Sequence, residues 1–230
     1  MRPYSKFFIL GFRQMIPVTT GVIPFGAVMG TVFYNAGLSF FQSMTMNIFM
    51  YSGSAQLASI DLMTKHAASA VVIATGLVIN LRFLLYSAGL SPHLQQSGFW
   101  TKVLCAHTLT DQSYAVMSAN TNILKTKTDA VSFYLGTALC MWLVWQSSVV
   151  AGFIFGNFAP TSWSLDFAVP LSFVALVIPT LKNYKYVAVA AFSSALSILF
   201  NGLPFKLGLI ATALCAIVLA VVLTKRESRS

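Results

Sequence analysis

Charge is what this sequence has least of. Only 8% of its 230 residues are Asp, Glu, Lys or Arg, against roughly 25% in an ordinary soluble domain. Residues 14–60, 83–101, 130–165 and 186–205 carry no charged side chain at all, so a soluble surface cannot be assembled from them. Cysteine is almost as scarce. Cys105, Cys140 and Cys215 lie far apart in apolar stretches, a spacing that offers neither a zinc site nor a disulfide framework; neither metal nor cofactor is expected. The nucleotide motif GxxxxGK[ST] is missing, and the chain has no room for a soluble domain to hold one, which excludes ATP as a direct energy source.

What is present is hydrophobic: 57% of residues, with a mean hydropathy of +0.77. A helix needs about 20 apolar residues to cross the hydrocarbon core, and runs of that length recur. The fold class expected is an all-α integral membrane protein, one polytopic domain over residues 1–230 embedded in the bilayer. Seven strong segments cover residues 14–36, 40–62, 67–91, 130–156, 166–181, 186–201 and 206–224. An eighth, residues 103–120, is weakened by His107, Asp111 and Gln112.

The net charge of +9 does not indicate nucleic acid, because the bases sit in turns and tails rather than on a folded basic face. They encode topology. Arg2, Lys6 and Arg13 precede the first run, and Lys225, Arg226 and Arg229 follow the last, which anchors both termini in the cytoplasm. Lys65, Lys125 with Lys127, and Lys182 with Lys185 fall inside only if residues 103–120 cross, giving about eight crossings. The alternative is seven, with that stretch an interfacial or re-entrant loop. The apolar stretch Phe7–Phe12 ends at Arg13 and is too short beside the run that follows to serve as a cleaved signal.

Proline and glycine interrupt the helices. Pro17, Gly21, Pro24, Gly26 and Gly30 crowd the first segment, and an unwound stretch near the membrane midplane is expected there. Asp166, Pro170 and Pro179 mark a partial counterpart in the second half, suggesting a two-halves repeat. Such a pair of broken segments points to a transporter site, although a packing kink and a GxxxG helix contact at Gly26 and Gly30 read equally well.

Polar residues within apolar runs are costly unless they meet a partner or cavity. Arg82 requires an acceptor, and Asp111 is the best intramembrane candidate, with snorkelling of Arg82 to an interface as the alternative. Asn80, two residues before Arg82, diverges from it by about 200° on a helix. His107, at i−4 from Asp111, would complete a polar stripe. Around Gly53, the groups of Ser52, Ser54 and Gln56 suit a zwitterion without adding net charge, or else simply pack helices.

Taken in order, Arg13, Pro17, Gly21, Pro24, Phe25, Gly26 and Gly30, then Gly53, Ser54, Ala55 and Gln56, then Asn80 and Arg82 with Leu90 and Pro92, then Thr110, Asp111, Tyr114 and Ala115, and finally Asp166, Phe167 and Pro170 resemble the AzlC-like family, the large subunit of branched-chain amino acid exporters. Gln112 departs from that family's usual Asp-Glu pair. The resemblance implies a multi-pass secondary exporter of valine, leucine or isoleucine in the cytoplasmic (inner) membrane of a bacterium, an antiporter using protons in the sense that no other energy source is encoded, and partnered by a small AzlD-like membrane subunit. Substrate contacts are expected from Gly21, Pro24, Phe25, Gly26, Ser54, Gln56 and Asn80, and charge or coupling roles from Asp111, Arg82, His107 and Asp166. Transport of another small apolar metabolite is the alternative. An intramembrane hydrolase using Ser54 and His107 lacks the flanking pattern of a nucleophile elbow, so no enzyme activity is expected.

Overall fold

The computed structural model describes residues 3–95, 97–156, 181, 183–202 and 207–227, and within them every regular element is helical. Two compact units divide the chain, Met1–Ser172 and Phe173–Ser230. The first contains α1 (Pro3–Thr19), α2 (Val22–Asn35), α3 (Phe40–Phe49), α4 (Gly53–Thr64), α5 (Ser69–Asn80), α6 (Arg82–Leu94), α7 (Phe99–His107), α8 (Asp111–Ala119), a 3-10 turn (Thr121–Ile123) and α9 (Lys127–Gly156). In the second, α10 (Tyr184–Leu199) and α11 (Leu207–Glu227) pack on each other. The segment with Asp166, Pro170 and Pro179 lies outside the described residues, and with it the basis of the expected two-halves repeat.

In the first unit the apolar runs become pairs of helices with a break inside each. α9 alone is uninterrupted, and its 30 residues span about 45 Å at 1.5 Å per residue. α1, α2, α3, α6, α7 and α8 all contact it. Among the described residues, Ser69–Leu94 and Lys127–Gly156 are long and apolar enough to cross a membrane, and α1 with α2 makes a third span if the bent pair counts as one. Large apolar side chains face outward in numbers a soluble fold does not tolerate: Phe41, Phe49 and Trp100 are about 80% exposed, at 79%, 81% and 79%. This is a lipid-facing surface on a helical membrane protein.

The first break falls inside the expected stretch, between Pro17 and Pro24, but not at Pro24 or Gly26. α1 runs through Arg13, whose side chain stays on the exposed helix surface, and the chain bends by 68° between Thr19 and Val22. Pro24 and Gly26 are helical residues of α2. The reason is positional: Pro24 stands in the first turn, where a backbone N–H has no intrahelical acceptor and its loss is harmless. Pro17 instead weakens the last turn of α1, and the hydroxyls of Thr19 and Thr20 donate to the carbonyls of Ile16 and Pro17, both at 2.7 Å.

Close approach of α1 and α2 to α9 depends on glycines on both sides. A Cβ at Gly11 would strike the Phe133 carbonyl, one at Gly136 the Phe8 carbonyl, one at Gly30 the Val149 carbonyl and one at Gly152 the Ala27 carbonyl. The Thr31 hydroxyl donates across this contact to Gly152 O at 3.1 Å. Gly26 and Gly30 thus form a helix contact, with Gly26 facing Ser148, whose Cβ lies 2.7 Å from where a side chain would begin.

Candidate functional site

Three of the breaks bring polar groups together. The break between α3 and α4 is Met50–Ser52, that between α5 and α6 is the single residue Leu81, and that between α7 and α8 is Thr108–Thr110. Each delivers a new helix start: Gly53, Arg82 and Asp111 are the first residues of α4, α6 and α8.

A charged chain links these three starts. Arg82 Nη2 donates to Ser54 Oγ at 2.9 Å, while Nη1 lies 3.2 Å from Asp111 Oδ2. The Tyr86 hydroxyl donates to the other carboxylate oxygen of Asp111 at 2.8 Å, and the Tyr86 ring stacks on Tyr114 with centroids 4.6 Å apart. The acceptor that Arg82 required is therefore Asp111, reached across sequence because α6 and α8 pack together. The pair is half-open, with side chains 34% and 40% exposed, so one partner can be exchanged without dismantling the core. The carboxylate also stands at the start of α8, the end of the helix where the dipole presents positive charge.

Beneath this chain lies a neutral one. Asn47 and Gln56 are fully buried, at 0% exposure. Asn47 Nδ2 donates to Gln146 Oε1 at 2.6 Å, and Asn47 Oδ1 accepts from Trp145 Nε1 at 2.8 Å and from Gln56 Nε2 at 3.0 Å. Gln56 Nε2 also donates to Met50 O at 2.7 Å, a second donor to a carbonyl at the α3 terminus that already accepts from Ser52 N. The amides thus splice the two halves of a broken span and tie them to α9. Phe25 meets Trp145 edge-on at 5.4 Å. Gly53 serves packing rather than a turn: a Cβ there would come within 2.6 Å of Trp145 and 2.7 Å of Phe25.

The expected site residues separate accordingly. Ser54, Arg82 and Asp111 are joined directly, and Gln56 and Phe25 belong to the adjoining buried layer. Asn80 ends α5 with its Oδ1 buried and unpartnered. Gly21 precedes α2 with open space around it, and Pro24 is exposed. His107 does not share a helix face with Asp111, because Thr110 and Ser113 form a capping box that starts α8 afresh after His107 ends α7. Its ring stacks on Tyr51 instead, centroids 6.3 Å apart. Asp166 lies outside the described residues. Ser54, bonded to Arg82, has the wrong company for a nucleophile awaiting a base.

Asn47, Trp145, Gln146 and Tyr86 escaped the reading of the sequence. The signal for the two amides was their presence in charge-free runs, where an unpaired amide is expensive. Their pairing, 99 positions apart, had no local cue. A cleft of about 270 Å³ opens between α6 and α7, with Ser87, Ser91, Lys102, Cys105 and Leu109 in its wall.

Among the described residues no group of His, Cys, Asp and Glu is arranged to hold a metal. Comparison with known proteins gives a match of residues 17–159 to the family described as AzlC protein. The chain is also 22% identical over 231 aligned positions to proteins named "Uncharacterized membrane protein" from Helicobacter pylori strains J99 and 26695, covering 99% of each chain. No solved structure matches.

Proposed function

The chain belongs to the AzlC family, a family of membrane transporters, and from that premise we propose that it exports branched-chain amino acids across the cytoplasmic membrane of a bacterium as a proton-coupled secondary transporter. In this reading it makes eight crossings, keeps both termini in the cytoplasm and works with a small AzlD-like subunit. The observation that carries the proposal is the half-open Arg82–Asp111 pair at the starts of two helices. An Arg or Asp at the centre of a membrane helix costs roughly 2.5 to 3.5 kcal/mol on insertion scales, and an intramembrane pair beside broken helices supports a substrate or ion path.

The chemistry follows from competition for one carboxylate. Asp111 holds Arg82 and the Tyr86 hydroxyl. A substrate ammonium or a proton reaching Asp111 weakens its hold on Arg82, and loss of either restores it. The two cargoes thus exchange at a single group, and Gln112 provides no second carboxylate beside it. Phe25 and Trp145 support an apolar side for an aliphatic side chain, adjoining the amides of Gln56 and Asn47.

The test is counterflow of labelled valine in proteoliposomes containing the chain, with and without the small subunit. Saturable counterflow of valine, competed by leucine and isoleucine and sensitive to a proton gradient, is expected. Absence of counterflow in both preparations refutes the reading.

A further inference from the structure

The helix starts in the first unit are not equally provided for. Ser39 caps α3 and Thr110 caps α8, each through a reciprocal capping box, and α6 continues from α5 across Leu81 with helical backbone. α4 begins differently. Ser52 occupies its N-cap position with extended backbone, φ −155° and ψ 98°, yet its side chain makes no capping hydrogen bond. The serine is only 6% exposed, and its Oγ is buried with no partner. An N-cap serine ordinarily accepts from the second or third amide of its helix, so the 12-residue α4 starts at a buried spot without a side-chain cap.

Arg82 is held at the same spot. Its Nη2 reaches Ser54, the second residue of α4, at 2.9 Å, while its Nε is buried and unpartnered. A cation at a helix N-terminus opposes the dipole, which carries about half a positive charge at that end. Around Ser54 and Arg82 there is therefore one full positive charge, about two half charges from the starts of α4 and α8, and the single negative charge of Asp111. The groups without partners there include two donors, the Ser52 hydroxyl and Arg82 Nε–H. Excess positive charge with idle donors in a buried setting describes a site for a small anion with several acceptor oxygens.

We propose that the uncapped start of α4, with Ser52 and Arg82, binds the carboxylate group of the transported amino acid. The ligand's oxygens take the place of the missing cap, accepting from the first-turn amides, the Ser52 hydroxyl and Arg82 Nε. This puts the carboxylate at α4 rather than at the amides around Gly21 to Gly26, where Pro24 removes one first-turn donor. The ligand's identity rests on the transport reading; the anion site does not. Two unpartnered buried acceptors, Gln56 Oε1 in the second turn of α4 and Asn80 Oδ1 two residues before Arg82, leave the ammonium a choice of carbonyl oxygens besides Asp111.

The experiment measures thermal unfolding of the detergent-purified full chain with added valine, isovalerate, valinol or chloride, for wild type, Ser52→Ala and Ser52→Asp. Valine and isovalerate, which carry the carboxylate, should raise the midpoint, and valinol, which lacks it, should not. Ser52→Ala should weaken the apparent valine affinity about 5- to 10-fold, since one of several charge-assisted bonds is lost. Ser52→Asp supplies its own carboxylate as the cap, so it should raise the unliganded midpoint and abolish the response to valine. Valinol matching valine, chloride matching both carboxylates, or a full valine response in Ser52→Asp would each overturn the proposal. If Ser52→Asp fails to fold, an unchanged valine affinity in Ser52→Ala overturns it alone. Counterflow in the same preparation separates the two readings. Carboxylate-dependent stabilisation without counterflow keeps the subsite and removes transport, whereas counterflow with valinol stabilising as well as valine does the reverse.

Discussion

Asn47→Ala tests whether the buried amide layer is what holds the second span together across its break. The side chain makes three hydrogen bonds, to Gln146, Trp145 and Gln56, at 2.6, 2.8 and 3.0 Å. Side-chain hydrogen bonds inside membrane proteins average about 0.6 kcal/mol, which sets a floor near 2 kcal/mol for losing all three. Gln56 keeps a second acceptor in Met50 O, but the Trp145 N–H has no other bond described, and a stranded buried donor costs about 1 to 3 kcal/mol. The expected loss is about 2 to 5 kcal/mol, or roughly 5–15 °C for a chain of this size. Unfolding can be followed with a thiol-reactive dye, because Cys105 and Cys140 are buried and Cys215 contributes an exposed background. Trp145→Phe removes the indole donor while retaining a ring, and the double variant completes a cycle in which the Asn47–Trp145 coupling should be about 0.6 to 1.7 kcal/mol. An Asn47→Ala midpoint within 1 °C of wild type, taken as roughly the scale of 0.5 kcal/mol, refutes the splice. So does a cycle with strictly additive effects.

Asp111→Asn keeps the shape and the Tyr86 contact but removes the charge, and it should abolish concentrative, proton-dependent valine efflux; full efflux in that variant would sink the coupling role. Gln112→Glu restores a neighbouring carboxylate and should alter the pH profile of efflux without being required for it, as measured by uptake at stepped external pH. Gly152→Ala puts a methyl group onto the Ala27 carbonyl and should sharply reduce folded yield in size-exclusion profiles, whereas Gly98→Ala, with nothing within 4 Å, should leave the yield unchanged. Tags at either end should be protected from a label confined to the periplasm; labelling of one end alone would return the topology to seven crossings.

Much of the helix layout was legible because charges and turns are so few. Residues 67–91 and 130–156 reappear as Ser69–Leu94 and Lys127–Gly156, and even the weak stretch around Asp111 is helical on both sides of its cap. The first boundary was misjudged at Arg13, since a single cation on an exposed face does not stop a helix. Break positions were legible only in part. Gly and Pro marked Gly21, but the Thr108–Thr110 break is written in the spacing of Thr110 and Ser113, a capping signal that competes with the apparent polar periodicity of His107 and Asp111. The Arg82–Asp111 pair followed from the scarcity of intramembrane charge. The amide layer did not, because hydrogen bonds between α3 and α9 depend on how closely two distant helices approach.

That approach has a mechanical consequence. Where α1 and α2 meet α9, carbonyl oxygens occupy the places in which side chains would otherwise stand, at Gly11, Gly30, Gly136 and Gly152. Sliding either helix by one residue would drive side chains into those notches, and rotating it would open gaps that no neighbouring group can fill. The bent α1–α2 arm and the long α9 therefore behave as a fixed frame, a stator against which other parts must work. Of the α4–α5 pair, α4 meets that frame at Gly53 through the side chains of Phe25 and Trp145, and Gln56 is tied to it through Asn47 of α3, rather than through notched backbone; side-chain contacts can be remade after a small displacement. In the proposed export cycle, displacement against this frame would fall to α4 and α5, with the amide layer as its latch.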